Sequence, residues 1–273
     1  MNILFAFAMT LIAGLSTGIG SLSALLTKKT NGKFLAVSLG FSAGVMIYVS
    51  MIELFQAAQA SLEHYFGGRK GSLVTVLAFF GGMLFISLID KLIPSEQNPH
   101  EMKSLEEKPG HAKDSEGRFP EQGKDLLHTG LFTALALALH NFPEGMATFV
   151  SALQDLSVAI PVVVAIAIHN IPEGIAVAVP IYFATGNRKK AFFYSFLSGL
   201  AEPLGAVVGF LILLPFLNEM VFGIIYGVVA GIMVFISFDE LLPAAREYGE
   251  HHLSVYGLVA GMLVMAVSLL LFV

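Results

Sequence analysis

Eight stretches of the chain stay apolar for about 20 residues or more, the length that carries a helix across a bilayer. They lie near 2 to 27, 34 to 55, 72 to 92, 126 to 153, 157 to 184, 191 to 217, 221 to 242 and 253 to 273. Most of the polar breaks between them are short. The exception is 94 to 125, which is charged, bears Pro and Gly and has no apolar periodicity. This alternation predicts an all-α polytopic membrane protein with eight transmembrane helices, one domain over 1–273, and a flexible cytoplasmic loop at 94–125 between helices 3 and 4. The first run has no basic residue ahead of it and exceeds the 7 to 15 apolar residues of a signal-peptide core, so it reads as a span.

The pattern also repeats. AGVMIYVSMIELFQAA (43–58) aligns without gaps on AGIMVFISFDELLPAA (230–245), with eight identities in sixteen. Fainter echoes relate GLSTGIGS (14–21) to GLAEPLGA (199–206), and GGMLFISL in span 3 to AGMLVMAVSL in span 8. Spans 1 to 3 thus correspond to spans 6 to 8 with reversed direction. Between them, LHNFPEGMATFV (139–150) on span 4 recurs as IHNIPEGIAVAV (168–179) on span 5. A 3+2+3 inverted repeat of this kind characterises many secondary transporters, whose sites lie near the midplane on broken helices.

Composition sharpens the membrane reading: 56% of residues are apolar and 13% charged, against about a quarter charged in soluble domains. The absence of cysteine excludes disulfides and thiolate metal sites. Thirteen of the fifteen Lys and Arg fall in the loops after spans 1, 3, 5 and 7; Arg69 and Lys70 are the other two. The positive-inside rule therefore puts both termini on the extracytoplasmic side.

The repeated HNxPEG motif then becomes the chemical question. On a helix, positions i and i+4 share a face, so His140 stands one turn from Glu144, and His169 one turn from Glu173. Pro143 and Pro172 deprive the carbonyls of Leu139 and Ile168 of their helical partners and predict kinks there. Gly145 and Gly174 admit a neighbouring backbone. Span 6 adds Glu202, followed by Pro203, which frees the Gly199 carbonyl. Each buried charge costs about 2.5 to 3.5 kcal/mol on the insertion scale, so three carboxylates cost roughly 8 to 10. No Lys or Arg lies in the interior of a span to offset them, Lys91 standing at the end of span 3. Countercharge must come from outside, as protons or metal ions. Two imidazoles with carboxylates suit Zn(II), Fe(II), Mn(II), Co(II) or Cd(II), whereas Mg(II) and Ca(II) prefer all-oxygen shells. Asn141 and Asn170, beside the histidines, and Glu202 supply a second position, with Glu144 and Glu173 bridging two ions about 3.5 to 4 Å apart.

Further acidic residues stand where the path would open. Glu53 is expected near the external end of span 2, and its repeat mate Glu240, with Asp239, near the cytoplasmic end of span 7. Met46 and its mate Met233 fall near mid-span, where Met more often packs than ligates. His251 and His252 lie further toward the cytoplasm, and His100 and His111 in the 94–125 loop.

HNFPEG, HNIPEG, GLAEPLG, GFSAGVM in span 2 and eight spans with a polar loop between 3 and 4 together resemble the ZIP family (Zrt- and Irt-like proteins), notably its bacterial zinc and broad-range divalent-metal uptake branch. The resemblance covers essentially the whole chain. It implies a binuclear site, with His140, Glu144, His169 and Glu173 at one position and Asn141, Asn170, Glu202 and the shared glutamates at the other. It further implies Met46 as a weak ligand, Asp239 with Glu240 as an exit-side pair, elevator-like transport into the cytoplasm, and often a homodimer. The chain departs from the family in reading IELFQ, where relatives often carry Leu-Pro after the acidic residue, and in having only two histidines in the 3–4 loop.

The expected function is uptake of divalent transition metal: zinc, with iron, manganese, cobalt and cadmium also suited. The expected partners are that cation and the lipid bilayer; no cofactor and no nucleic acid are expected. An intramembrane metal-dependent hydrolase is the main competitor, since the same groups can activate water. It lacks HExxH. A proton-coupled organic-cation carrier would call for aromatic residues around the motif, and apart from Phe142 and Phe149 the repeats are aliphatic.

Overall fold

The computed structural model of the chain describes residues 3–26, 32–92, 120–154, 156–216, 218–248 and 251–270, and every element among them is helical. In chain order they are α1 (Ile3–Leu26), α2 (Gly32–Val49), α3 (Phe55–Phe66), α4 (Gly68–Leu92), α5 (Pro120–Gln154), α6 (Leu156–Thr185), α7 (Arg188–Gly199), α8 (Ala201–Val208), α9 (Glu219–Ile236), α10 (Leu242–Tyr248) and α11 (His251–Leu270). Among the described residues seven segments are long and apolar enough to cross a membrane: Ile3–Leu22, Ala36–Phe66, Gly68–Ile89, Ala159–Val179, Arg188–Ile212, Glu219–Arg246 and His252–Leu270. With α5, which is 35 residues long, they follow the order of the eight apolar runs.

Several boundaries differ from the apolar pattern. Span 2 does not stop at 55: α2 continues through a π-helical stretch, Ser50–Leu54, into α3 and ends at Phe66. The extension FQAAQASLEHYF is amphipathic, burying Ala58 and Leu62 while Gln56 and His64 are exposed, so apolar-run length alone misses it. Likewise α9 passes through a π-helical stretch, Ser237–Leu241, into α10. The two π stretches occupy matching positions of the 43–58 and 230–245 alignment. Helix α5 begins at Pro120, inside the stretch read as loop, because proline suits the first position of a helix, where its missing N–H is not needed. Residues 94–119 of that stretch, with His100 and His111, lie outside the described residues.

Turns follow from their residues. Gly67 (φ 82°) and Gly186 (φ 64°) adopt positive φ between α3 and α4 and between α6 and α7. Asn187 and Asn218 cap α7 and α9 by accepting from the N–H groups of Lys190 (3.1 Å) and Val221 (3.0 Å). Near Gly67 the exposed His64 Nδ1 lies 2.5 Å from Glu219 Oε2, tying α3 to α9.

Helix α6 is the centre. The Ala159–Val179 segment is 72% enclosed by protein, against 22% for Gly68–Ile89 and His252–Leu270. Helices α1, α5 and α2 surround α6, while α11 packs on α2 and α4 on α9 at the periphery. Leu73, Leu77, Leu84, Leu88, Val259 and Leu263 face outward there, as lipid contact requires. One link between layers is polar: the buried Tyr226 hydroxyl donates to Ser151 Oγ at 2.9 Å, joining α9 to α5. Tyr226→Phe is expected to cost about 0.6 kcal/mol, the average for such bonds in membranes, read as a small fall in the thermal midpoint in detergent.

Candidate metal centre

Helices α5, α6 and α8 bring the sequence motifs to one place. His169 Nε2 lies 3.3 Å from Glu144 Oε1 and 3.4 Å from Oε2 across the α5–α6 interface, and 3.9 Å from Glu173 Oε1, one turn along its own helix. All three side chains are buried. Asn170 Nδ2 donates to Glu202 Oε1 and, at 3.0 Å, to the Ala13 carbonyl. The expected i, i+4 pairing of His169 with Glu173 and the expected approach of α5 to α6 are both present, and Glu202 joins them from α8. The side chain of His140 lies outside the described residues; its backbone places it one turn before Glu144 on α5.

Backbone geometry explains the convergence. Pro203 has no N–H for the Gly199 carbonyl, so α7 stops at Gly199, Leu200 forms a turn, and α8 starts at Ala201 with Glu202 in its first turn, where helix polarity favours an anion. The Gly199 carbonyl instead packs on α1, where a Cβ on Gly14 would lie 2.6 Å from it. Pro143 and Pro172 act more mildly: α5 and α6 remain helical through them. A Cβ on Gly145 would overlap the Glu202 carbonyl, and one on Gly174 the Thr17 carbonyl. Glycine at these two positions is what lets α8 and α1 come so close to the motif helices.

Two further hydrogen bonds hold the motif helices, one of them from Ser42, which the sequence did not single out. Ser42 Oγ donates to the His169 carbonyl at 3.2 Å, and Asn141 Nδ2 donates to the Ser198 carbonyl at 3.2 Å. Helical spacing from Ser42 was the available signal, because Met46, buried and one turn further along α2, was already marked. After these bonds are counted, Asn141 Oδ1, Asn170 Oδ1 and Glu202 Oε2 remain buried acceptors without a hydrogen-bond donor among the described residues. Such acceptors are costly in a membrane interior unless a cation or a donor meets them.

The other marked residues belong to other helices. Glu53, partly buried in the Ser50–Leu54 π stretch, lies 11 residues beyond Ser42, about 16 Å along the helix. It occupies the middle of Ala36–Phe66 rather than its end, because α3 prolongs the span. Asp239 and Glu240 lie in the Ser237–Leu241 π stretch, partly buried. Met233 packs in the core. The exposed His252 ring stacks near Tyr256, and the His251 side chain lies outside the described residues.

The family model described as "ZIP Zinc transporter" matches residues 1–269. The chain belongs to the ZIP family. It is 65% identical over 268 residues to a zinc transporter ZupT of Streptococcus mutans, covering 98% of this chain and 97% of that protein. It is 60% identical to one of Clostridium perfringens (100% and 97% covered) and 62% identical to one of Oceanobacillus iheyensis (99% and 98% covered). With seven membrane-length helices among the described residues and this membership, the chain is an integral membrane protein of a transporter family, not an enzyme. That removes the hydrolase reading.

Proposed function

We propose that this ZIP protein carries divalent transition metal, zinc foremost, into the cytoplasm through a binuclear site on α5, α6 and α8. The observation that carries the reading is the set of buried acceptors Asn141 Oδ1, Asn170 Oδ1 and Glu202 Oε2 beside the His169–Glu144–Glu173 cluster. Along the chain the nearest Lys or Arg to the three glutamates are Lys124, Arg188 and Lys190, too distant on their helices to neutralise them. Zinc, with iron, manganese, cobalt and cadmium as further candidates, supplies that charge and accepts N and O ligands. One ion takes His140, His169 and the shared glutamates; the other takes Asn141, Asn170, Glu202 and the same glutamates, with Met46 as a weak ligand. The names of the relatives, zinc transporters, support zinc as the foremost substrate.

Eight spans in a 3+2+3 inverted repeat belong to the same proposal, and close contacts support it. With GLSTGIGS aligned on GLAEPLGA and the HNxPEG copies on each other, Gly20 against Ile171 mirrors Gly205 against Phe142. In the peripheral helices, Gly44 against Leu258 mirrors Gly231 against Phe79. Asn170 on the Ala13 carbonyl mirrors Asn141 on the Ser198 carbonyl. Helices α1, α5, α6, α7 and α8 form the site-bearing group and the remaining helices the group it slides against. Ser42 to His169 and Tyr226 to Ser151 are hydrogen bonds that cross this boundary. Both termini face the extracytoplasmic side, Glu53 serves the external path, and Asp239 with Glu240 the cytoplasmic one. A homodimer is included on the family resemblance.

Crystals of the full chain soaked in zinc or cadmium test the site directly. An anomalous map is expected to show two peaks about 3.5 to 4 Å apart between α5, α6 and α8. An empty cleft at saturating metal rejects the site.

A further inference from the structure

Hydroxyls inside helices ordinarily donate to the carbonyl four residues back. Thr10, Ser21, Thr148 and Ser151 do so here. Thr17 does not: its Oγ1 is buried and makes no hydrogen bond with any described residue. The cause is local. Its default acceptor, the Ala13 carbonyl, already receives Ser16 Oγ at 2.5 Å and Asn170 Nδ2 at 3.0 Å.

The displaced hydroxyl leans toward α7, where a Cβ on Gly199 would lie 2.9 Å from it. The residue before Gly199 is Ser198, whose carbonyl holds Asn141. The Thr17 carbonyl packs on Gly174, next to Glu173, as the Glu202 carbonyl packs on Gly145, next to Glu144. Aligning GLSTGIGS on GLAEPLGA pairs Thr17 with Glu202 itself. Thr17 thus holds, for α6, the place that Glu202 holds for α5.

We infer that Thr17 is a further residue of the metal site, whose hydroxyl donates a hydrogen bond to the ligand shell of the bound cation on the Asn141 side. It is a positioning residue, and the inference rests on the metal-site reading above. A neutral group there has a physical reason: a carboxylate at both places would add a fourth negative charge to a buried cluster that already holds Glu144, Glu173 and Glu202.

The test compares full-length wild type, Thr17→Val and Thr17→Ser in detergent, measuring thermal midpoints without metal and zinc Kd by competition with a chelating dye. Deleting a buried hydroxyl that lacks a partner leaves the metal-free midpoint unchanged or raises it. Zinc Kd for Thr17→Val is expected to weaken about three- to ten-fold, one hydrogen bond's worth, and Thr17→Ser to bind as wild type. If Thr17→Val does not fold, Thr17→Ala removes the same hydroxyl without the added methyl. Wild-type Kd in the hydroxyl-free variant overturns the role of Thr17 and leaves the metal site standing. Equal weakening in the Val and Ser variants assigns the effect to packing and also overturns it. A wild type that binds no zinc overturns both.

Discussion

Alanine at Glu144 or Glu173 is expected to reduce zinc uptake by reconstituted protein by roughly two orders of magnitude or more. Losing an outer partner of a metal ligand costs about 10- to 100-fold, and a carboxylate shared by two ions contributes at least as much. Glu144 meets His169 across α5 and α6 at 3.3 Å, and Glu173 stands 3.9 Å from the same imidazole on α6, so in the proposed binuclear site either truncation removes a bridge from both metal positions. Alanine at Glu144 also takes the carboxylate from the buried His169 imidazole 3.3 Å away, and removing one partner of a buried pair destabilises. Metal-free Glu144→Ala is therefore expected to melt below the wild-type midpoint and to lose zinc-induced stabilisation as well. Glu144→Gln preserves shape and removes charge; the same loss of flux in radiolabelled zinc uptake separates electrostatics from packing. Undiminished flux in proteoliposomes for either alanine variant rejects the site.

Much of this was legible because a membrane interior makes polar residues conspicuous. Glu144, Glu173 and Glu202 announce themselves in apolar runs, since each has a cost that only function or pairing offsets. The i, i+4 spacing of His169 and Glu173 fixed their shared face, and the structure brings them together. What apolar-run counting missed was helix without an apolar surface all round. Helix α3 alternates buried Ala58 and Leu62 with polar Gln59 and Glu63, so the run ended on paper while the helix continued, and Glu53 moved from the end of a span to its middle. The π stretches at Ser50–Leu54 and Ser237–Leu241 carry no composition signal of their own. Thr17 was invisible for a different reason: a threonine on a helix ordinarily satisfies itself, and only the competition of Ser16 and Asn170 for the Ala13 carbonyl displaces it.

Alanine at Gly145 or Gly174 is the second large expected effect, and it tests the architecture independently of metal. A Cβ at Gly145 would occupy the space of the Glu202 carbonyl, and one at Gly174 that of the Thr17 carbonyl. In both cases the obstacle is backbone, which cannot rotate away as a side chain can. The cost therefore falls at or above the top of the 1 to 3 kcal/mol range usual for overpacking. α8 must retreat from α5, or α1 from α6, carrying Glu202 or the Ala13 carbonyl away from Asn170. Gly81 is the control: nothing lies within 4 Å of a Cβ built there, so Gly81→Ala is expected to leave stability unchanged or slightly raised through helix propensity. Thermal midpoints of the three metal-free variants decide the matter. Because Gly145 and Gly174 are mates in the repeat and meet mated carbonyls, their losses are expected to be similar. If Gly145→Ala melts like wild type, α8 does not approach α5 closely enough to place Glu202 beside Asn170, and the proposed second metal position loses its frame.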